Sequence, residues 1–369
     1  MSQQETISLA RGAPSIDIVA TDDLRAAADA AFSNDPAGTF SYGTSAGYKP
    51  LVDWIAERQG VAPEQVIATN GSMQADAFLF GQLVEPGDVV VVEAPSYDRT
   101  LLSLRGLGAE LLAIPLQEDG IDVGAFEEAL QDDDVRPKLA HIIPNFHNPA
   151  GCTLSLEKRE KLVALASKYD FILFEDDPYV ELRFAGEPLP TMLSMDTDGH
   201  VVYASSFSKT VCPGIRVGYL VGPAELIAET RKIATGTYIS PNMVAQSIVA
   251  EFCRSGAIDR SIETVKKALR ERRDVLCAAL QRDLPDARFV VPEGGYFLWV
   301  DLPDGTDVAR LAEAASERGV VFVKGTDFLL EDGGSSFRIA YSGVRADQID
   351  DAVSRLAGAY GELAGAPAA

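Results

Sequence analysis

The stretch Ser205-Ser206-Phe207-Ser208-Lys209-Thr210-Val211-Cys212-Pro213-Gly214-Ile215-Arg216-Val217-Gly218 decides how the rest of the chain is read. It follows an apolar run, Val201-Val202-Tyr203-Ala204, and places hydroxyls one and three residues before a lysine and an arginine seven after it. Those groups suit an aldehyde cofactor that carries a phosphate. Lys209 is placed to form a Schiff base with the aldehyde, and Ser206, Ser208 and Arg216 to hold the phosphate. Taken alone, the same residues also describe a surface lysine in a serine-rich turn, so the decision rests on the surrounding sequence.

Outward from this stretch, one pattern recurs: a short apolar run, then a polar cluster, then a helical segment. Val66-Ile67-Ala68-Thr69 runs into Asn70-Gly71-Ser72, and Val89-Val90-Val91-Val92 into Glu93-Ala94-Pro95-Ser96-Tyr97. Leu139-Ala140-His141-Ile142-Ile143 leads to Asn148-Pro149, and Phe171-Ile172-Leu173-Phe174 to Glu175-Asp176-Asp177-Pro178-Tyr179. Runs that are apolar on both faces and alternate with helices predict a mainly parallel sheet covered on both sides. In such sheets ligands bind beyond the carboxyl ends of the strands, so five polar clusters converge on one site and the surface-lysine reading loses ground.

The flanking segments complete the outline. Residues 7 to 20 read as an extended arm broken by Gly12 and Pro14, followed by a helix capped by Thr21 with Asp22 and Asp23 in its first turn. A glycine-punctuated loop, Phe40 to Tyr48, precedes a helix over Pro50 to Arg58. Ile258, Ile262, Val265, Leu269 and Leu276 give a core-facing stripe to a long helix from Ala257 to Arg282. Strands over Phe289–Pro292, Gly294–Val300, Val320–Val323 and Ser336–Tyr341, with a helix from Asp307 to Arg318, predict a smaller α/β domain beginning near residue 250.

Composition narrows the function. Of 369 residues, 47% are hydrophobic, enough for a large core. Asp and Glu number 55 against 32 Lys and Arg, a net charge of −23 that repels nucleic acid and anionic membranes. Cys152, Cys212, Cys253 and Cys277 lie far apart without Cys-x-x-Cys spacing, which argues against a metal site and a disulfide framework. The first residues, Met1 to Thr6, carry neither a basic region nor an apolar run, and no span for a membrane is present. A cytoplasmic protein is expected, with a frayed Ala/Gly/Pro tail after Leu363.

With these motifs in order from Ile7-Ser8-Leu9-Ala10-Arg11-Gly12-Ala13-Pro14 to Phe337-Arg338-Ile339-Ala340, the chain resembles the fold-type I, pyridoxal-phosphate-dependent aminotransferases of class I/II. Within them it is similar to the branch of α-aminoadipate and kynurenine aminotransferases and of MocR-type effector domains. The resemblance implies a large domain with a mainly parallel seven-stranded sheet between helices and a smaller C-terminal α/β domain. The divisions are residues 1–35 (arm and first helix, packing with the small domain), 36–250 and 251–369.

It also implies roles. Lys209 anchors pyridoxal 5'-phosphate and moves the substrate proton. Asp176, three residues before Tyr179 as in the family, faces the pyridine nitrogen, while Asp177 fits better as a cap of the following segment. Tyr179 and Asn148 bond the phenolic oxygen. Gly71, Ser72 and the Met73 backbone join Ser206, Ser208 and Arg216 at the phosphate, and Tyr97 stacks on the ring. Tyr42 reaches the neighbouring subunit's phosphate, which makes the enzyme a homodimer with shared sites. Arg338 clamps the substrate carboxylate, and Asn148 also belongs to the substrate-binding set.

Arg11 stands where relatives commonly carry glycine; it either pairs with a distal carboxylate, as in glutamate or 2-aminoadipate, or points to solvent. The implied activity moves an amino group between an L-amino acid and a 2-oxo acid in a ping-pong cycle. An oxidase, decarboxylase or eliminase using the same cofactor is the alternative. A cofactor-sensing regulator is disfavoured by the arm filling residues 1 to 40 and by the negative charge, and a dinucleotide dehydrogenase by the lack of Gly-x-Gly-x-x-Gly after a strand.

Overall fold

Residues 5–365 are described by the computed structural model, and the counts below refer to them; the tail expected to fray lies largely outside. Strands β1 (Ile7–Ser8), β2 (Val66–Thr69), β3 (Val89–Ala94), β4 (Glu110–Gln117), β5 (Gly120–Ile121), β6 (Pro137–Ile142), β7 (Ile172–Asp176), β8 (Val201–Ser206) and β9 (Gly218–Val221) precede residue 250. Strands β10 (Phe297–Asp301), β11 (Val320–Val321), β12 (Val323–Lys324) and β13 (Ser336–Ala340) follow it.

The valines of β3 explain the layered architecture. Val90 and Val92 point into a core with Phe78, Leu79, Leu101 and Leu104. Val91 points the other way, against Ile114, Phe126 and Leu162. All three are fully buried, and each contributes about 1.5–3 kcal/mol of burial relative to exposure. A strand buried on both faces belongs inside a sheet sandwiched by helices.

That sheet has the order β2-β9-β8-β7-β6-β3-β4-β5. Strands β4, β3, β6, β7 and β8 are parallel neighbours, β9 runs antiparallel between β8 and β2, and β5 folds back on β4. The sheet thus has eight strands where seven were expected, because Gly120–Ile121 adds a two-residue edge hairpin.

The smaller part carries an antiparallel sheet, β10-β13-β12, and packs on the helix Ala257–Asp283, whose predicted stripe is buried. Phe289–Pro292 is not a strand: Val290 and Val291 are exposed, Pro292 has no N–H to give a ladder, and pairing is limited to Arg288 with Asp301. The expected strand Val320–Val323 breaks at Phe322 because the chain changes partner there, from β1 to β13, while the Phe322 ring packs on Phe337 at 4.7 Å between centroids. Thr21 is the first helical residue, and the N-cap is Ala20 without a side-chain bond.

The expected unit of residues 1–35 is divided. Its arm joins the small sheet through β1 on β11 and through Ala340 N–H to the Leu9 carbonyl at 2.7 Å. Its helix, Thr21–Asn34, lies instead against the helix Met243–Arg254, and Ala27 shares a core with Leu51, Val52 and Phe252. Apolar burial on the larger part outweighs sequence proximity to the arm. Among the described residues no helix is long and apolar enough to cross a membrane.

Candidate active site

Five strands that run the same way, β2, β3, β6, β7 and β8, end at one edge of the large sheet, and the segments leaving them wall a cavity of about 160 Å³. Ser72 and Met73 follow β2, Tyr97 follows β3, and Asn148 follows β6. Asp176 ends β7, with Tyr179 beyond it, and Ser206, Ser208, Lys209 and Arg216 come from the β8–β9 connection. Asp76, which was not anticipated, lines the same cavity.

One end is built to receive an anion. Gly71 has φ 89°, and a Cβ there would sit 2.1 Å from Arg216 Nη2. Glycine therefore leaves room for the guanidinium beside the first N–H groups of the helix Ser72–Leu83, which have no intrahelical acceptor. Gly218 permits a second close approach, since a Cβ there would meet Ser72 N at 2.4 Å. Arg216, itself left-handed at φ 48°, donates through Nη1 to Ser208 Oγ at 3.1 Å, and Ser208 N–H donates to Ser206 Oγ at 3.1 Å.

The opposite end is acidic. Asp176 Oδ2 lies 3.4 Å from His141 Nε2, on β6, while Asp176 Oδ1 is buried without a partner. Burial, with the neighbouring charge of Asp176 second, pushes the Asp76 carboxyl well above the usual range. Burial likewise pushes Tyr97 up to about 12.

Asp177 faces away. Both its oxygens accept from Asn145 Nδ2, at 3.0 and 2.9 Å, and Asn145 Oδ1 accepts from buried Arg159 at 2.8 Å. It is a member of a buried polar network, where a cap was expected.

Lys209 lies between the two ends. Its Nζ donates to the Gly12 carbonyl at 3.2 Å and stands 5.5 and 5.4 Å from the ring centres of Tyr179 and Tyr296. Tyr296 Oη also donates to the Lys209 carbonyl at 3.0 Å, fixing the backbone. Burial first, then the positive charge of Arg216, lowers the ammonium to about 8; Asp176 opposes this and Arg338 adds to it.

Arg338, on β13, reaches the site through Asn148: Nη1 donates to Asn148 Oδ1 at 2.8 Å and Nη2 to the Ala10 carbonyl at 2.7 Å. The rings of Phe297 and Phe328 flank the guanidinium at 4.4 and 4.7 Å. Tyr42 is outside the cavity and 85% exposed. Arg11 is exposed, and its side chain has no hydrogen-bond partner among the described residues, although the next residue, Gly12, touches Lys209.

Sequence reasoning missed Asp76, His141 and Tyr296. His141 was signalled by a lone polar residue in the apolar run of β6. Asp76 was signalled by an acid on the apolar face of its helix.

The lining fits a phosphorylated pyridine aldehyde, with a glycine-opened anion cradle, a buried acid that keeps one oxygen unpartnered and a depressed lysine. Comparison with known proteins agrees. Residues 4–356 match the family Aminotransferase class I and II. The aromatic-amino-acid aminotransferase 1 of Thermococcus litoralis is 33% identical, over 96% of this chain and 87% of its own. The 2-aminoadipate transaminase of Thermus thermophilus is 32% identical, over 95% and 89%. The crystal structure of Pyrococcus horikoshii kynurenine aminotransferase in complex with PMP superposes with a TM-score of 0.94 at 33% identity, covering 99% of this chain and 93% of that one. The chain belongs to the class I and II aminotransferase family. It is a fold-type I enzyme that uses pyridoxal phosphate to act on amino acids and 2-oxo acids.

Proposed function

We propose that this aminotransferase works through Lys209 as both covalent anchor and proton carrier, in a ping-pong exchange between an L-amino acid and a 2-oxo acid. The observation that carries the reading is the lysine held at about 8 inside the cavity. An amine of that kind is uncharged in a useful fraction near neutral pH, so Lys209 could bond an aldehyde carbon with loss of water and, once the substrate amine has displaced it, take and return a proton at the substrate Cα. Bound pyridoxal phosphate supplies the electron-accepting ring.

Ser72, the Met73 backbone, Ser206, Ser208 and Arg216 would hold the phosphate beside Gly71, Tyr97 would cover the ring, and Asp176 would serve the ring nitrogen. Asn148 and Tyr179 face the phenolic oxygen. Arg338, oriented by Asn148 and by two aromatic rings, binds the substrate carboxylate; that carboxylate replaces the Ala10 carbonyl at Nη2.

The active form in this reading is a homodimer to which Tyr42 contributes across the interface. The loop of Tyr42 packs on Met243 through Gly43, and Thr235 Oγ1 and Tyr238 Oη donate to Ser45. Tyr42, Ile239 and Val244 are thus exposed apolar side chains on neighbouring segments at this face, a composition that suits cover by a second chain.

Borohydride reduction of the loaded enzyme followed by peptide mapping tests the core of the proposal. Label on Lys209 is expected, and label on any other lysine would sink it. Oxygen uptake or carbon dioxide release during turnover would favour an oxidase or a decarboxylase instead.

A further inference from the structure

Lys209 lies in a short turn whose backbone takes little support from its own segment. Val211 N–H closes the turn on the Phe207 carbonyl at 2.9 Å, but among the described residues no backbone N–H donates to the carbonyls of Lys209 or Thr210. Both accept from side-chain hydroxyls instead. Tyr296 Oη donates to the Lys209 carbonyl at 3.0 Å, and Ser261 Oγ donates to the Thr210 carbonyl at 2.6 Å. Both donors are buried, and neither lines the cavity.

The two donors are themselves fixed by the smaller part of the molecule. Ser261 lies on the buried face of the helix Ala257–Asp283. Tyr296 immediately precedes β10; its carbonyl accepts from Tyr341 N–H at 3.0 Å, and β10 pairs with β13 so that Trp299 lies opposite Arg338. The Tyr296 ring packs on Tyr179 at 5.4 Å between centroids, and the next ring, Phe297, stands 4.4 Å from the Arg338 guanidinium. The lysine backbone and Arg338 are therefore held by one frame, the β10–β13 pair. A lysine amine rides on a flexible four-carbon stem, so its reach is defined only as well as its backbone is held. A displacement of about 1 Å at a reacting group costs about a hundredfold in rate.

We propose that Tyr296 and Ser261 are positioning residues that brace the Lys209–Thr210 peptide, so that the lysine amine meets the Cα of a substrate whose carboxylate Arg338 holds. Neither hydroxyl touches a reacting atom, and the brace acts through the lysine backbone. It rests on the reading of Lys209 as proton carrier and of Arg338 as carboxylate binder.

Tyr296→Phe and Ser261→Ala remove the hydroxyls while keeping the ring and the helix. Each loaded variant is mixed in a single turnover with whichever of glutamate, leucine and tyrosine the wild type converts fastest. The rate should fall about tenfold, with an unchanged saturation constant and a primary isotope effect from Cα-deuterium at least as large as the wild type's. An unchanged rate, a matching loss of amino-acid affinity, or a smaller isotope effect overturns the proposal.

A second measurement needs no cofactor. Competitive acetylation of the cofactor-free full-length chain across a range of pH, with peptide mapping, reads the titration of Lys209. In the wild type it lies at about 8, under the charges of Arg216, Asp176 and Arg338 and beside the rings of Tyr179 and Tyr296. An unbraced lysine reaches water more often, so in both variants the titration should move toward the ordinary 10.5. Wild-type titration in both variants overturns the brace. Borohydride mapping of the loaded variants separates the two ways of failing: label on Lys209 with wild-type kinetics refutes the brace alone, and label on another lysine refutes the role of Lys209 with it.

Discussion

Replacing Lys209 with methionine should abolish turnover and at the same time stabilise the cofactor-free fold. The ammonium is buried with no carboxylate as a direct hydrogen-bond partner, and its one acceptor is the Gly12 carbonyl. Lowering a lysine from 10.5 to about 8 corresponds to a cost of about 3 kcal/mol at pH 7. The hydrogen bond to Gly12 returns about 1 kcal/mol, and the faces of Tyr179 and Tyr296 return about 0.5–1 kcal/mol each. Methionine fills most of the same volume and removes the charge, so a net gain of up to about 1 kcal/mol is expected at pH 7.

The pH dependence gives the sharper check. The folded pKa is depressed, so the unfolded chain binds more protons between about 8 and 10.5, and wild-type stability rises with pH through that window. The advantage of Lys209→Met is therefore greatest below pH 8. The charge cost it removes falls to about half by pH 9.5. Urea unfolding of both cofactor-free proteins at pH 6.5, 8 and 9.5 reads this directly. A difference that is constant with pH, or a less stable variant at pH 6.5, would show that the ammonium is not desolvated as the structure has it.

Other substitutions probe the remaining parts. Asp176→Asn should still bind cofactor but lose transamination by several orders of magnitude, whereas Asp177→Asn should keep activity and lose about 1–3 kcal/mol of stability through the Asn145–Arg159 network; equal activity losses would mean that the wrong aspartate was chosen. Gly71→Ala places a methyl 2.1 Å from Arg216 Nη2 at φ 89°, and at least a tenfold weaker affinity for pyridoxal phosphate is expected in a fluorescence titration. Mixing inactive Lys209→Ala and Tyr42→Ala chains should restore part of the activity through hybrid dimers, and a fully active monomer would refute the shared site. Arg11→Gly should raise KM for glutamate or 2-oxoglutarate and leave alanine and leucine nearly unchanged; an equal change for acidic and neutral substrates would assign Arg11 to the shape of the arm.

Much of this enzyme is legible in its sequence because local rules agree with the global fold. The runs at Val66, Val89, Leu139, Phe171 and Val201 are short, apolar on both faces and followed by polar clusters, and a parallel sheet is the structure that buries them while opening those clusters at one edge. The lysine stretch follows from that geometry together with the chemistry of its residue types, whereas the choice of Asp176 over Asp177 came from the family's spacing to Tyr179.

What periodicity does not carry is which side chains meet. Asp76 shares a helical segment with Phe78 and Leu79, and only packing of that helix against the sheet brings it into the cavity that Asp176 also lines. His141 reads as a stray polar residue until β6 and β7 lie side by side. The arm and the first helix are neighbours in sequence, yet they part company because the arm completes a strand pair with Val320–Val321 while the helix buries Ala27 beside Phe252. Periodicity along the chain encodes which face of an element is apolar; the partner that covers it, and the charge left facing another charge, are decided by contacts between residues far apart in sequence.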